Sequence, residues 1–195
     1  MTATATLHDA LIDELRDLYD AEKQITKALP KMIKAACEPN LRSAFEAHLE
    51  ATQDHVQRLE RVFEALEEKV RGKRCEGIAG ILEEGQSIMS EPFDEAAMDA
   101  CLLAAAQRVE HYEIAAYGTL IAWANAMGHE EAADLLRATL DEEKSANEKL
   151  TEIAEDGVNQ QAAGTAHPSG DRGNAPVRRT RSSGGEGAKR VAHRS

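Results

Sequence analysis

The sequence predicts an all-α fold: four long helices in one bundle, paired as two hairpins that a single long connection joins. Three observations predict it. Hydrophobic residues make up 42% and charged ones 30% while aromatics reach only 4%, with Ala, Glu, Leu and Arg prevailing, a mixture that favours helices over sheets. Four stretches between residues 7 and 156 repeat apolar side chains at helical spacing. Between the second and third of them lies one gap, rich in glycine, of roughly twenty residues. At 195 residues the chain has room for one such domain and a tail.

The first stretch carries Leu7, Leu11, Leu15, Leu18, Ile25 and Leu29 on one stripe, and Glu22 fills its one missing step. Thr6, with Asp9 three residues on, has the form of an N-cap. Pro30 lies inside the pattern and predicts a kink, and the Glu38-Pro39-Asn40 turn ends the helix. The second stretch, 40–71, reads Leu41, Phe45, His48/Leu49, Thr52, His55/Val56, Leu59, Val62/Phe63 and Leu66, with Gly72 as its stop. Residues 72–93 hold Gly77, Gly80, Gly85 and Pro92 around the short apolar runs Ile78–Leu82 and Ile88–Met89, which reads as a crossover containing one short helix.

The third long stretch, 94–127, has the stripe Leu103, Ala106, Glu110, Glu113, Tyr117, Leu120 and Ala124, closed by Gly128. The fourth comes at once with Ala132, Leu136, Leu140 or Thr139, Glu143, Asn147, Leu150 and Ala154. Two tight hairpins and one long crossover are the connectivity of ferritin-like four-helix bundles. Beyond Asp156 the periodicity stops and Gly, Ser, Ala, Arg and Pro take over. The expected division is therefore a helical bundle over 1–156 and a disordered basic tail over 157–195.

Charge sharpens that division. From Gly157 onward seven Lys/Arg face two acids, a balance of +5, whereas the preceding 156 residues carry 16 basic and 33 acidic side chains, or −17. So acidic a domain argues against direct nucleic-acid binding by the bundle and leaves only the tail suited to it. For the tail a solubilising linker is the simpler reading. Cys37, Cys75 and Cys101 are an odd number without CxxC spacing, which suits neither a disulfide framework nor a thiolate site. They point to a reducing cytoplasm, with Cys37 and Cys101 as small hydrophobes. The N-terminus lacks the pattern of a signal peptide, and no apolar run is long enough to span a membrane.

The acids on apolar stripes carry the functional signal. An ionised carboxylate inside a core costs several kcal/mol or more unless it is paired or bound to a metal. Counting outward from the turns sets their heights. Glu113 lies 15 residues before Gly128 and Glu143 lies 15 after it, so they face each other. Glu22 lies 16 residues before Glu38, opposite Asp54, which brings His55 alongside and Ala51 one turn away. Glu110 is a turn from Glu113, and His48 lies about 10 Å further along its helix at 1.5 Å per residue, at the edge of the layer. A lone inward Glu is often paired or half-buried, and a lone inward His is usually a hydrogen-bonded core residue. Coincident height on four separate helices instead favours a metal centre built from Glu22, His55, Glu110, Glu113 and Glu143, with His48 a further candidate ligand outside that innermost set. Carboxylates with a minority of imidazoles suit iron or manganese at two neighbouring positions. Tyr117 is expected to be a core aromatic, Tyr19 and Tyr112 stay open between core and carboxylate support, and Asp141, Glu142 and Lys144 read as solvated.

With those residues in place, the chain resembles the DUF892 family, the YciF/YciE group of ferritin-like proteins, over residues 6–156. The likeness rests on Leu18–Met32, Phe45–Glu60, Cys75–Gly85, Ala104–Leu120 and Thr139–Glu155, and most of all on VEHYEIAAYGTL. It implies a cytoplasmic bundle, usually a homodimer, tied to bacterial stress responses and carrying a di-iron or other di-metal centre, with no firmly assigned reaction. Glu22, Glu110, Glu113, Glu143 and His48 match its motif positions. Two features depart from it. The ferritin-type Glu-x-x-His is absent from the second and fourth long helices, where Glu50 is followed by Gln53 and Glu143 by Ala146, and Ala51 stands where relatives often carry an acid.

Three functions compete at this point. One is a stress-response di-metal protein that oxidises Fe(II) or consumes peroxide or O2. The second is a non-enzymatic stress or scaffold bundle acting through dimerisation and partner binding. A storage shell is the third, and the resemblance argues against it.

Overall fold

The computed structural model describes residues 4–166. Its first helix opens on a reciprocal cap. The Asp9 carboxylate accepts from the Thr6 backbone N–H at 2.7 Å, and the Thr6 hydroxyl accepts from the Asp9 N–H at 3.3 Å. From there α1 runs Leu7–Ala35. Glu38, the residue before Pro39, caps α2 (Pro39–Ala65) by accepting from the Leu41 N–H at 2.6 Å. The short helix α3 (Glu76–Ile88) lies in the crossover, and Asp94 caps α4 (Glu95–Ala126). Gly128, at φ +78°, takes the left-handed turn that lets α5 (Glu130–Ile153) start at once. No strand occurs among the described residues.

Contacts at the two ends fix the helix directions. At one end the backbone N–H groups of Cys37 and Glu38 donate to the buried Asp99 carboxylate at 2.8 and 2.9 Å, pinning the α1–α2 turn to the first turns of α4. At the other end the rings of His8 and His129 sit 5.8 Å apart, bringing the start of α1 to the α4–α5 turn. Thus α1 and α5 run one way, α2 and α4 the other, and each long helix packs antiparallel on both of its neighbours. The segment 66–94 travels the length of the bundle to make this possible. The result is the four-helix bundle with one long crossover that the stripes predict.

The stripes form the core nearly as read: Leu11, Leu15, Leu18 and Ile25 of α1 meet Leu41, Phe45, Leu59 and Phe63 of α2 and Leu103, Tyr117 and Leu120 of α4. On α5 it is Thr139 rather than Leu140 that is buried. Leu7 and Cys37 depart from expectation by lying exposed at helix ends, where no partner helix covers them.

α1 continues through Pro30, which sits on its exposed face. Two boundaries differ from expectation. The second helix stops at Ala65 instead of near Gly72, although 67–71 contains good helix formers. Glu67 turns the chain at φ +57°, and tertiary contacts hold residues 68–73 along α1. Glu68 pairs with Arg16 at 3.3 Å, Lys73 with Asp13 at 2.6 Å, and the Lys73 N–H donates to the Arg16 carbonyl. Gly72 serves this close approach, since a Cβ there would lie 3.4 Å from that of Asp20. Finally, helix continues past Asp156. A π-helical turn, Ala154–Val158, kinks at Gly157 and leads into α6 (Asn159–Ala166), which packs on α4 with Val158 buried. Composition hid this last piece because its alanines and glutamines carry no long apolar stripe. The remainder of the basic tail, 167–195, lies outside the described residues.

Candidate metal centre

Each of the four long helices delivers intruding polar residues to the middle of the bundle. Glu22 comes from α1, His48 and His55 from α2, Glu110 and Glu113 from α4, and Glu143 from α5, and all but His48 are essentially inaccessible to solvent. Two groups form within this set. Ligand-type atoms of His48, Glu110, Glu113 and Glu143 lie within 4.8 Å of one another, as do those of Glu22, His55 and Glu143. Glu143 belongs to both. Because α2 and α4 run the same way, moving back one turn from Glu113 to Glu110 and two turns from His55 to His48 shifts both toward the Asp99 end. His48 therefore joins the site at 3.4 Å from Glu110, closer in than its height alone predicts.

The convergence leaves many atoms without hydrogen bonds. Glu22 Oε2, His48 Nε2, His55 Nδ1, Glu110 Oε2, both carboxylate oxygens of Glu113 and both of Glu143 are buried and unpartnered. His55 Nδ1 is 2.9 Å from Glu143 Oε1, close enough for a hydrogen bond but not in line for one, and 3.6 Å from Glu22 Oε1. An ordinary core does not tolerate eight such atoms in one place. Four carboxylates would bear a formal −4, which two divalent cations match.

Electrostatics reports the same tension. Burial, and after it the neighbouring Glu143 charge, pushes Glu110 and Glu113 well above the ordinary carboxylate range. Glu22 is also raised, chiefly by burial. Burial pushes Glu143 up too, but the adjoining imidazoles outweigh it and hold this one acid low. Burial alone would lower His55, yet the Glu143 and Glu22 carboxylates raise it to about 10. His48, lacking an aligned partner, is lowered by burial.

Comparisons with known proteins agree with this fold. The family model described as "Domain of unknown function (DUF892)" matches residues 6–163. The chain belongs to the DUF892 family. Within it, the chain is 42% identical over 162 residues to protein YciF of Escherichia coli K12, covering 83% of this chain and 98% of that one. The crystal structure of the E. coli stress protein YciF superposes with a TM-score of 0.77, covering 80% of this chain and 99% of that one. YcfI from Rhodopseudomonas palustris, 47% identical, gives 0.75 over 77% of this chain and 96% of its own. A protein from Xanthomonas campestris pv. campestris shares the fold at 21% identity and a TM-score of 0.65, covering 83% of this chain and 99% of that one.

In this DUF892 chain the groups around the six predicted residues include two that sequence reading assigned otherwise. Glu142, read as solvated, accepts from His55 Nε2 at 2.8 Å and from Arg58 at 2.8 and 3.0 Å. Arg58 also donates to the Thr139 hydroxyl at 2.7 Å. A carboxylate only accepts, so the Nε2 side of the ring carries the hydrogen and Nδ1 turns toward Glu22 and Glu143. Burial opposes ionisation of Glu142, but the Arg58 hydrogen bonds win and keep it low. Tyr117, expected as plain core, donates its hydroxyl to Glu22 Oε1. Neither open tyrosine joins the centre: Tyr19 donates to Glu60 at 2.8 Å, and Tyr112 to Asp17 at 3.0 Å beside the Cys75 thiol. The spacing of Arg58 three residues after His55, opposite an acid next to Glu143, is the one sequence signal that could have pointed to Glu142.

Proposed function

We propose that the bundle core holds a dinuclear iron or manganese centre and that the protein is a stress-response oxidoreductase that oxidises Fe(II) or consumes peroxide or O2. The observation that carries this reading is the set of eight buried, unpartnered carboxylate and imidazole atoms. Their donor set fits the metal: oxygen-rich with a minority of nitrogen and no thiolate, as hard first-row ions prefer. Glu22 and His55 would hold one position and His48, Glu110 and Glu113 the other, with Glu143 common to both. Bound there, the ions supply a +2/+3 redox couple to the reaction. Around them, Tyr117 orients Glu22 through its hydroxyl, and Glu142 fixes the His55 ring. Glu142 is 45% exposed at its side chain, so it also links buried His55 to bulk water for proton movement. The similarity to a protein described as a stress protein supports the physiological half of the reading. As part of it, the chain forms a homodimer, which sedimentation would register as twice 21.2 kDa.

Elemental analysis of protein purified without chelators tests the proposal. About two irons or manganeses per chain are expected, as in di-metal carboxylate bundles. Metal should be lost in Glu113→Ala and Glu143→Ala. Metal content unchanged in both variants, or a wild-type protein that binds none, would leave a non-enzymatic bundle as the better account.

A further inference from the structure

On the Asp99 side of the candidate centre the core is not filled. A cavity of about 210 Å³ lies between the four long helices, one to two turns above Glu113. Its size has a sequence cause. Ala28 of α1, Ala44 and Ala51 of α2, Ala106 of α4 and Ala146 of α5 all face it, so no helix contributes enough volume to close it. Protein interiors pack to near-crystalline density, and an unfilled void of this size destabilises the fold that keeps it.

The walls state what the cavity accepts. Ile25, Leu29, Phe45, Val109 and Leu150 are apolar and buried. Behind the mouth, one end is polar: His48 and Glu110, with His55 behind them, close it on the metal side. His48 Nε2 and Glu110 Oε2 lie there buried and without hydrogen-bond partners. The cavity opens to solvent between α2 and α5, past the exposed Ala47, Glu142, Ser145 and Lys149. A hydrated cation that passed this mouth would have to shed its water against the aliphatic walls beyond it. A neutral apolar molecule meets no such cost and gains by leaving water.

We propose that this cavity is a binding site for a neutral, apolar organic molecule of single-ring size, seated against the His48–Glu110 end of the centre. Its role there as a co-substrate pocket rests on the metal reading above, whereas the binding itself does not. The volume limits the ligand. An apolar cavity of about 150 Å³ in another protein takes up benzene, while drug-sized ligands need about 300 Å³ or more.

Benzene is the probe. It would be titrated into the full-length protein, metal-free and manganese-loaded, and followed by NMR of its own protons. Saturable binding is expected in both forms, with strongly enhanced proton relaxation in the manganese form, since the ligand sits beside Glu110. Ala51→Phe and Ala146→Phe, which fill the cavity from different helices, should each weaken binding by about tenfold or more while helicity and manganese content stay unchanged. Should one variant not fold, the other decides, and the relaxation effect locates the ligand without any substitution. Absence of saturable binding to the wild type, or binding retained in every folded filled variant, would overturn the proposal. Benzene binding to a protein that retains neither manganese nor iron would leave this site standing and the metal reading refuted.

Discussion

His55 Nε2 lies 2.8 Å from Glu142 Oε2, and that contact points the opposite ring nitrogen, Nδ1, at the Glu143 carboxylate 2.9 Å away. A partly exposed acid thereby governs the tautomer and orientation of a fully buried imidazole. Glu142 is in turn gripped by both terminal nitrogens of Arg58, so three residues on α2 and α5 act as one positioning unit. Glu142→Ala is expected to weaken metal binding by about 10–100-fold, the usual cost of removing the acid behind a ligating histidine. Arg58→Ala should do the same more weakly, since the His55–Glu142 contact survives it. Competition against a chelator of known affinity measures both, and wild-type affinity in Glu142→Ala would detach this pair from the centre.

Glu113 makes the sharpest case for opposite effects of one substitution. Both its oxygens are buried without partners, and burial holds it well above the ordinary carboxylate range. Without metal, it is a group the core would be better without. Glu113→Gln is therefore expected to raise the stability of the metal-free protein by roughly 1 kcal/mol, by removing an ionisable group from among three other acids. The same change should abolish most of the added stability on metal loading. Paired chemical denaturation with and without manganese reads both signs at once, and a destabilised metal-free variant would contradict the account.

How much of the fold and the centre is legible in the sequence depends on which features are rigid. Helix geometry and tight turns transmit register faithfully, so counting from Gly128 and Glu38 is enough to bring Glu113 to Glu143 and Glu22 to His55. Counting heights does not bring in His48, because the site has a second level built on Glu110 that a one-layer picture omits. Glu142 stays hidden in a run of charges, where a long side chain can lie exposed and still reach inward. The early end of α2 depends on Arg16 and Asp13, which are more than fifty residues from their partners Glu68 and Lys73, a distance local propensity cannot see. The cavity is invisible for a different reason: single alanines on four helices mean little until packing brings them together.

The pH dependence of the metal-free protein has a definite sign. Glu110 and Glu113 have folded-state pKa values raised well above 4.5, and His55 is raised from 6.5 to about 10. A group with a raised folded pKa stabilises fully below its unfolded value and loses that contribution as pH climbs through the folded one. These three therefore make the metal-free protein lose stability from mildly acidic pH upward, His55 doing so between 6.5 and about 10. Glu142 and Glu143, both lowered, act in the opposite sense only below 4.5. Metal must displace the retained protons, so its affinity rises with pH and proton release accompanies binding. Melting curves across pH with chelator should fall toward alkaline values, and added manganese should flatten the fall. A chelated protein that gains stability from about pH 6 to pH 9 would show that the acids are not held protonated.

The last structured piece can be weighed by truncation. Val158 is buried at 4% exposure, and α6 packs along α4, although both lie beyond the composition change at Gly157. Ending the chain after Asp156 exposes the apolar surface that Val158 covers, whereas ending it after Ala166 keeps that contact. The shorter protein is expected to be less stable than the longer one by roughly 1–3 kcal/mol, the value of burying one aliphatic side chain and its surroundings. In a chain of this size that lowers Tm by several degrees. Metal content should not change, because the π-helical turn starts 11 residues after Glu143, about 16 Å further along the helix at 1.5 Å per residue. Equal melting temperatures for the two truncated proteins would return the boundary to Asp156, and metal loss in the shorter one would tie the end of the bundle to its centre.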